Sequence, residues 1–166
     1  MFVYTVYKEI SPVPTAVDLL GSWIDSATGR KIEKAFYEKH DDRPDCRNVL
    51  KELKDSTVYA YEQALEYPLA CDCQGRDWHD MLGQLVGFDK DNQDAYLADG
   101  PFAELLTDAY QGTTLGPRTS AKLVADFDAW DERARSFSDD GEFYLTFWWV
   151  RTCLSHAIKN GAVKLN

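Results

Sequence analysis

The sequence predicts a mainly α protein of the α+β class. It reads as a single-domain helical bundle over residues 1–166, with a C-terminal antiparallel helix hairpin and a small strand pairing of the termini. Three observations carry this reading. Leu123, Phe127, Trp130, Ala134 and Phe137 recur at helical spacing, and Phe143, Phe147, Val150, Leu154 and Ile158 repeat the pattern after the polar break Ser138-Asp139-Asp140-Gly141. Strand signals lie only at the two ends of the chain. No linker, repeat or low-complexity tract divides the 166 residues, and an apolar content of 45% suffices for one core.

From the N-terminus, Phe2 to Ile10 alternates β-branched and aromatic residues, which predicts a strand, and Pro12 and Pro14 break it. Thr15 with Asp18 resembles a capping box, so a helix is expected to carry Leu19, Leu20, Trp23 and Ile24 inward as far as Gly29. Lys31 to Lys39 is a short amphipathic segment with Ile32, Ala35 and Phe36 on one side. Asp45 is placed to cap a further helix, with Val49, Leu50, Leu53, Thr57, Ala60, Ala64 and Leu65 as its apolar positions and Pro68 as its end.

Residues 69–76 read as a loop. Asp77 can cap a helix bearing Met81, Leu82, Leu85 and Val86, closed by Gly87. Asp89 to Gly100 is acidic and weakly patterned. Pro101 opens a helix with Phe102, Leu105, Leu106 and Ala109 inward, ended by Gly112. Thr119 or Ser120 caps the first helix of the hairpin. Gly161 ends the second, and Ala162 to Leu165 forms the terminal strand expected beside residues 2–10.

Charge separates the function classes. The chain holds 18 basic and 28 acidic side chains, a formal net charge of −10. Residues 61–115 contain 11 of the acidic ones and only Arg76 and Lys90 as basic ones, so the excess sits in the middle third. Direct binding to nucleic acid needs a positive footprint, which is missing. No apolar run is long enough to span a bilayer, and the first residues lack the basic and small-residue pattern of a secretory signal. A cytoplasmic protein with reduced thiols is expected, with Cys153 as a small core residue.

The chemistry-bearing residues give four candidates. Asp89, Asp91 and Gln93 open like a calcium loop, but Asp94 and Gly100 stand where that loop needs its glycine and its bidentate glutamate. Cys46, Cys71, Cys73 and His79 have the softness zinc prefers without the usual knuckle spacing. The order His40, His79-Asp80 and a later Asp126 or Asp128 resembles the ligand order of HD-domain metal phosphohydrolases. That resemblance implies a metal that activates water. No nucleophile elbow or phosphate-binding glycine loop occurs, and Ser155 and His156 are adjacent on a helix, where they diverge.

The remaining candidate is a surface. Asp89, Asp91, Asp94, Asp99, Glu104 and Asp108 fall within twenty residues and can imitate a phosphate track toward a basic partner. Phe143, Tyr144, Phe147, Trp148 and Trp149 are too many aromatics for one helix face, which marks Trp148 as an exposed interface anchor. The C-terminal third, with Leu123-x-x-Asp126-Phe127-x-x-Trp130, Phe147-Trp148 and Gly161-Ala162-Val163, resembles small bacterial and prophage proteins. That resemblance implies an inhibitor or immunity role and transfers no functional residue. The expectation is a non-enzymatic intracellular inhibitor without catalytic residues, metal or cofactor. It would bind a basic protein or nucleoprotein in the manner of anti-CRISPR, anti-restriction or toxin-immunity proteins. The alternative is the HD-domain-like phosphohydrolase.

Overall fold

The computed structural model describes residues 3–43, 50–68, 72–137 and 141–165, with backbone alone for 72–77. Its strands run β1 (Val3–Lys8), β2 (Ser11–Val13), β3 (Thr15–Val17), β4 (Trp23–Asp25), β5 (Ala35–Glu38), β6 (Thr57–Ala60), β7 (Gln63–Pro68) and β8 (Gly161–Leu165). The helices are α1 (Asp72–Val86), α2 (Gln93–Asp99), α3 (Ala103–Leu106), α4 (Pro117–Arg135) and α5 (Glu142–Ser155). Three antiparallel sheets therefore replace the expected helical bundle. Their orders are β7-β1-β8, β2-β6-β5 and β3-β4.

The first two sheets share one bent ribbon. β1 pairs with β7 from Val3↔Pro68 to Lys8↔Gln63, and β2 pairs with β6 from Ser11↔Ala60 to Val13↔Val58. The register is the same on both sides of the bend. The turn out of the first sheet falls at Glu9, whose φ is +52°, and Glu62 N–H donates to the Lys8 carbonyl at 3.1 Å beside it. Because side chains alternate, Tyr4 and Val6 face the helices while Tyr7 faces the second sheet.

Each face of the central sheet has its own core. On one side, Tyr4, Val6 and Val163 pack with Trp78, Leu82, Leu123, Phe127, Phe147 and Leu154 from the helices. On the other, Tyr7 stacks on Phe36 at 4.3 Å and leans on Tyr61 at 5.0 Å, next to Ile10, Leu53 and Tyr59. β8 completes the sheet from Tyr4↔Leu165 to Lys8↔Gly161. The termini do pair, but within a three-stranded sheet that forms a full layer rather than a small appendage.

Three segments expected as helices are strands. The residues 15–25 form a β3-β4 hairpin because Asp18 Oδ1 accepts from Leu20 N–H at 2.9 Å and Ser22 N–H at 2.7 Å, with Gly21 at φ +80°. This side-chain turn exposes Leu19 and Leu20 fully at its tip instead of burying them. Lys31 to Lys39 contributes β5. From residue 50 onward, the helix expected from Asp45 to Leu65 is replaced by a loop, β6 and β7, where pairing to β2 and β1 outweighs the helical spacing of the apolar residues. Asp45 and Val49 lie outside the described residues.

α4 and α5 pack as an antiparallel pair, with Asp131 bonded to Tyr144 at 2.8 Å and Asp128 to Arg151 at 2.7 Å. Thr119 and Ser120 do not cap α4. They lie buried inside it, and the cap position is Gly116. The cap comes instead from Glu52, whose carboxylate accepts from Arg118 N–H at 2.7 Å and Thr119 N–H at 2.9 Å. A Cβ on Gly116 would sit 2.7 Å from the Glu52 Cβ, so glycine is what lets the carboxylate approach. Another carboxylate, the buried Glu38, accepts from Thr114 Oγ1 at 2.6 Å. Next to it, Leu115 bridges Val163 by two hydrogen bonds of 2.8 Å, so this segment ties both sheets to α4.

Glu52→Ala removes two charge-assisted acceptors from the positive end of α4. It is expected to cost about 1–3 kcal/mol. Glu52→Gln should cost less, because an amide oxygen can still accept. Urea unfolding measures both, and an unchanged midpoint for Glu52→Ala would contradict the capping role.

Candidate functional site

A cleft of about 630 Å³ opens beside α1. One wall is α1, which presents His79, Asp80, Gly83 and Gln84. A second is the turn from Phe88 to Gln93, and a third is the stretch from Glu104 to Leu115. Tyr4 and Leu165 of the central sheet complete it.

Local sequence sets each wall. α1 ends at Gly87 (φ +71°), and Phe88 N–H reaches back to the Gly83 carbonyl at 2.8 Å in a Schellman closure. Phe88 thereby folds over Gly83. Asp89 then accepts from Asp91 N–H at 3.0 Å and starts the 3-10 turn Lys90–Asn92. Lys90 returns to Asp80 at 2.8 Å, and that bond holds the ammonium above its ordinary pKa. Gln93 makes a reciprocal pair with Asp108: its amide donates to Asp108 Oδ2 at 3.0 Å and its carbonyl accepts from Asp108 N–H at 2.8 Å.

The helix expected from Pro101 to Gly112 is broken. Phe102 takes the left-handed region (φ +58°), which costs a non-glycine residue roughly 1–2 kcal/mol. Its burial against Phe127 at 4.8 Å and Phe147 at 6.0 Å offsets this, and Asp126 accepts its N–H at 2.9 Å. α3 is one turn long and a 3-10 turn, Asp108–Tyr110, follows. Gly100 is required upstream, since a Cβ there would lie 2.3 Å from the Tyr96 ring.

The anticipated acidic residues divide into two groups. Asp91, Asp94 and Asp108 line a shallow depression of about 330 Å³ that adjoins the cleft through Lys90, Gln93 and Asp108. Glu104 lines the cleft, but its charge is taken by Lys122 at 2.7 Å. Burial lowers the Lys122 pKa, and the bonds to Asp126 and Glu104 outweigh that and raise it. Asp89 serves as a cap, and Asp99 is exposed and lines neither hollow. Trp148 lies on α5, no residue of which lines either hollow. It is 50% exposed, with Leu145 at 58% and Trp149 at 45% beside it. The overflow of aromatics leaves both tryptophans half in solvent, and Trp149 also meets Tyr67 edge-on.

The metal readings find no assembled ligand set. His40 donates from Nε2 to the Leu53 carbonyl at 2.8 Å and lies 3.8 Å from Glu38, in the second sheet. His79 is hydrogen-bonded to the Tyr4 hydroxyl at 3.3 Å in the cleft, whose lining does not include His40. Asp126 and Asp128 are held by Lys122 and Arg151. Cys46, Cys71 and the Cys73 side chain lie outside the described residues. Among the described residues no three His, Cys, Asp or Glu side chains converge as metal ligands. Cys153 is buried, and burial pushes its thiol up to about 12. His156 stacks on Tyr67 and Ser155 donates to the Thr152 carbonyl, so these two form no dyad.

Sequence reasoning missed Tyr4, Gln93 and Lys90 as site residues. Tyr4 and His79 are 75 positions apart, and nothing local signals their contact.

Tyr96 offers a test of the wall that carries the acidic residues. Its hydroxyl donates to the Pro101 carbonyl at 2.8 Å; burial, then the Asp126 charge, push its pKa from 10.0 up to about 12. The folded state holds this proton more tightly than the unfolded chain. Its contribution is therefore fully present below pH 10.0 and is lost as the pH rises from there to about 12. Tyr96→Phe is expected to flatten that part of the alkaline decline, measured as unfolding midpoint against pH. No helix among the described residues is long and apolar enough to cross a membrane. Compared with family models, with curated proteins and with solved structures, the chain has no match.

Proposed function

We propose that the protein is a non-enzymatic inhibitor acting in the cytoplasm, which docks an acidic surface on a basic protein or nucleoprotein partner. The observation that carries this reading is the set of carboxylates that form no ion pair. Asp80, Glu104 and Asp126 have ion-pair partners, whereas among the described residues none is within ion-pair distance of Asp89, Asp91, Asp94, Asp99 or Asp108. Three of these five surround one depression, and a fourth, Asp89, lies beside it in the chain. A cluster of solvated like charges attracts a basic partner at long range and orients it on approach. Covering the partner's basic track would block whatever polyanion it binds, as anti-CRISPR, anti-restriction and toxin-immunity proteins do. Trp148 supplies a separate apolar contact on α5.

Asp91, Asp94 and Asp99 are the residues to reverse, because their side chains hold no other group of the fold, whereas Asp89 accepts from Asp91 N–H and Asp108 accepts from the Gln93 side-chain amide. The triple variant Asp91→Lys, Asp94→Lys, Asp99→Lys is expected to lose the partner that the parent protein captures at low salt and releases at high salt. Its circular dichroism should match the parent. Capture that survives the reversal overturns the docking reading. Trp148→Ser is expected to weaken capture without altering its salt dependence, which separates the apolar contact from the charged one.

A further inference from the structure

The cleft beside the acidic face has features that charge alone does not explain. Its volume, about 630 Å³, lies in the range of ligand-binding clefts. Leu105, Leu106, Leu115 and Phe88 give it an apolar floor. The side chains of Gln84, Gln111 and Thr113 line it and have no hydrogen-bond partner among the described residues. Three carboxylates line it against one ammonium, and that ammonium, on Lys90, is tied to Asp80. Glu104 is already neutralised by Lys122. Asp108 is different: Gln93 fixes its position through two hydrogen bonds, and its charge reaches the Lys90 ammonium without forming an ion pair with it. An anion entering here would face Asp108, and a purely apolar group would leave it buried and unpaired.

We infer that the cleft receives an arginine- or lysine-bearing segment of the basic partner, with the alkyl stem on Leu105, Leu106 and Phe88 and the charged head at Asp108. Such side chains are amphipathic along their length and match an apolar floor beneath a fixed carboxylate. The free amides of Gln84 and Gln111 are then available to the segment's backbone. This inference rests on the docking reading and specifies one contact within it.

The probe is a capped Leu-Arg-Leu tripeptide, with its citrulline counterpart as the neutral isostere. It is titrated into the 166-residue chain and followed by amide chemical shifts. Saturable shifts are expected at Gly83, Leu106 and Gly112, with the citrulline peptide weaker by about tenfold or more. Asp108→Asn should weaken the arginine peptide by a similar factor. Gln84→Trp, on the exposed side of α1, should block it without changing the charge, and Glu33→Gln, far along the chain in an exposed loop, should change nothing. Equal binding of the two peptides, shifts that map elsewhere, no binding at all, or indifference to Asp108→Asn overturns the inference. If that happens while the triple lysine variant still loses its partner, the docking reading stands and the cleft contact alone is wrong. If the triple variant keeps its partner, the docking reading fails whatever the tripeptide does.

Discussion

A single register runs through both large sheets, and the rest of the molecule depends on it. Residues 3–13 and 57–68 pair as one antiparallel ribbon that bends at Glu9 without gaining or losing a position. In a strand, a slip by one residue moves every side chain to the opposite face. Here that would drive Tyr7 into the helical core and expel Tyr4 and Val6 from it. The penalty on both faces at once explains why a ribbon with two cores holds one alignment. It also gives α4 and α5 a fixed platform on which to pack.

The ribbon reaches the candidate site through a short chain of contacts. Val163 of β8 holds Leu115, Leu115 ends the stretch that forms one wall of the cleft, and Tyr4 stands between them and His79. The electrostatics follow the same division between inside and outside. Carboxylates drawn toward the interior, Glu104 and Asp126, share Lys122, while Glu52 meets the positive end of α4 and Glu38 a hydroxyl. Those on the turn from Asp89 to Asp99 remain solvated. The carboxylates are thus sorted by burial: the inner ones meet a cation, a helix end or a hydroxyl, and the outer ones stay in solvent.

Legibility in the sequence followed the same line. β1 was readable because its alternation is local, and the α4-α5 pair because its apolar stripes are long. The segments 15–25 and 35–65 misled because short runs such as Leu19, Leu20, Trp23 and Ile24 fit a helical period as well as a hairpin. The decisive term was the Asp18 side chain bonding its own turn, with Gly21 in the left-handed region. The acidic residues near the cleft were visible as composition, and the exposure of Trp148, away from it, as surplus aromatic area. The cleft was not visible, because its walls come from residues 4, 79–93, 104–115 and 165, which only the finished sheet brings together. Glu52 was hidden for the same reason: it lies 66 positions from the amide it caps.

The position of β1 between β7 and β8 also bears on how the chain is made. Synthesis delivers β1 first, its β7 partner after some sixty residues, and β8 only after α5. On the ribosome the central strand therefore carries one bare edge until residues 161–165 emerge from the exit tunnel. An unpaired edge is a template for any other extended chain. The nascent protein is most exposed to self-association in that interval, and the helices already synthesised can shield only the face of the strand, not its edge.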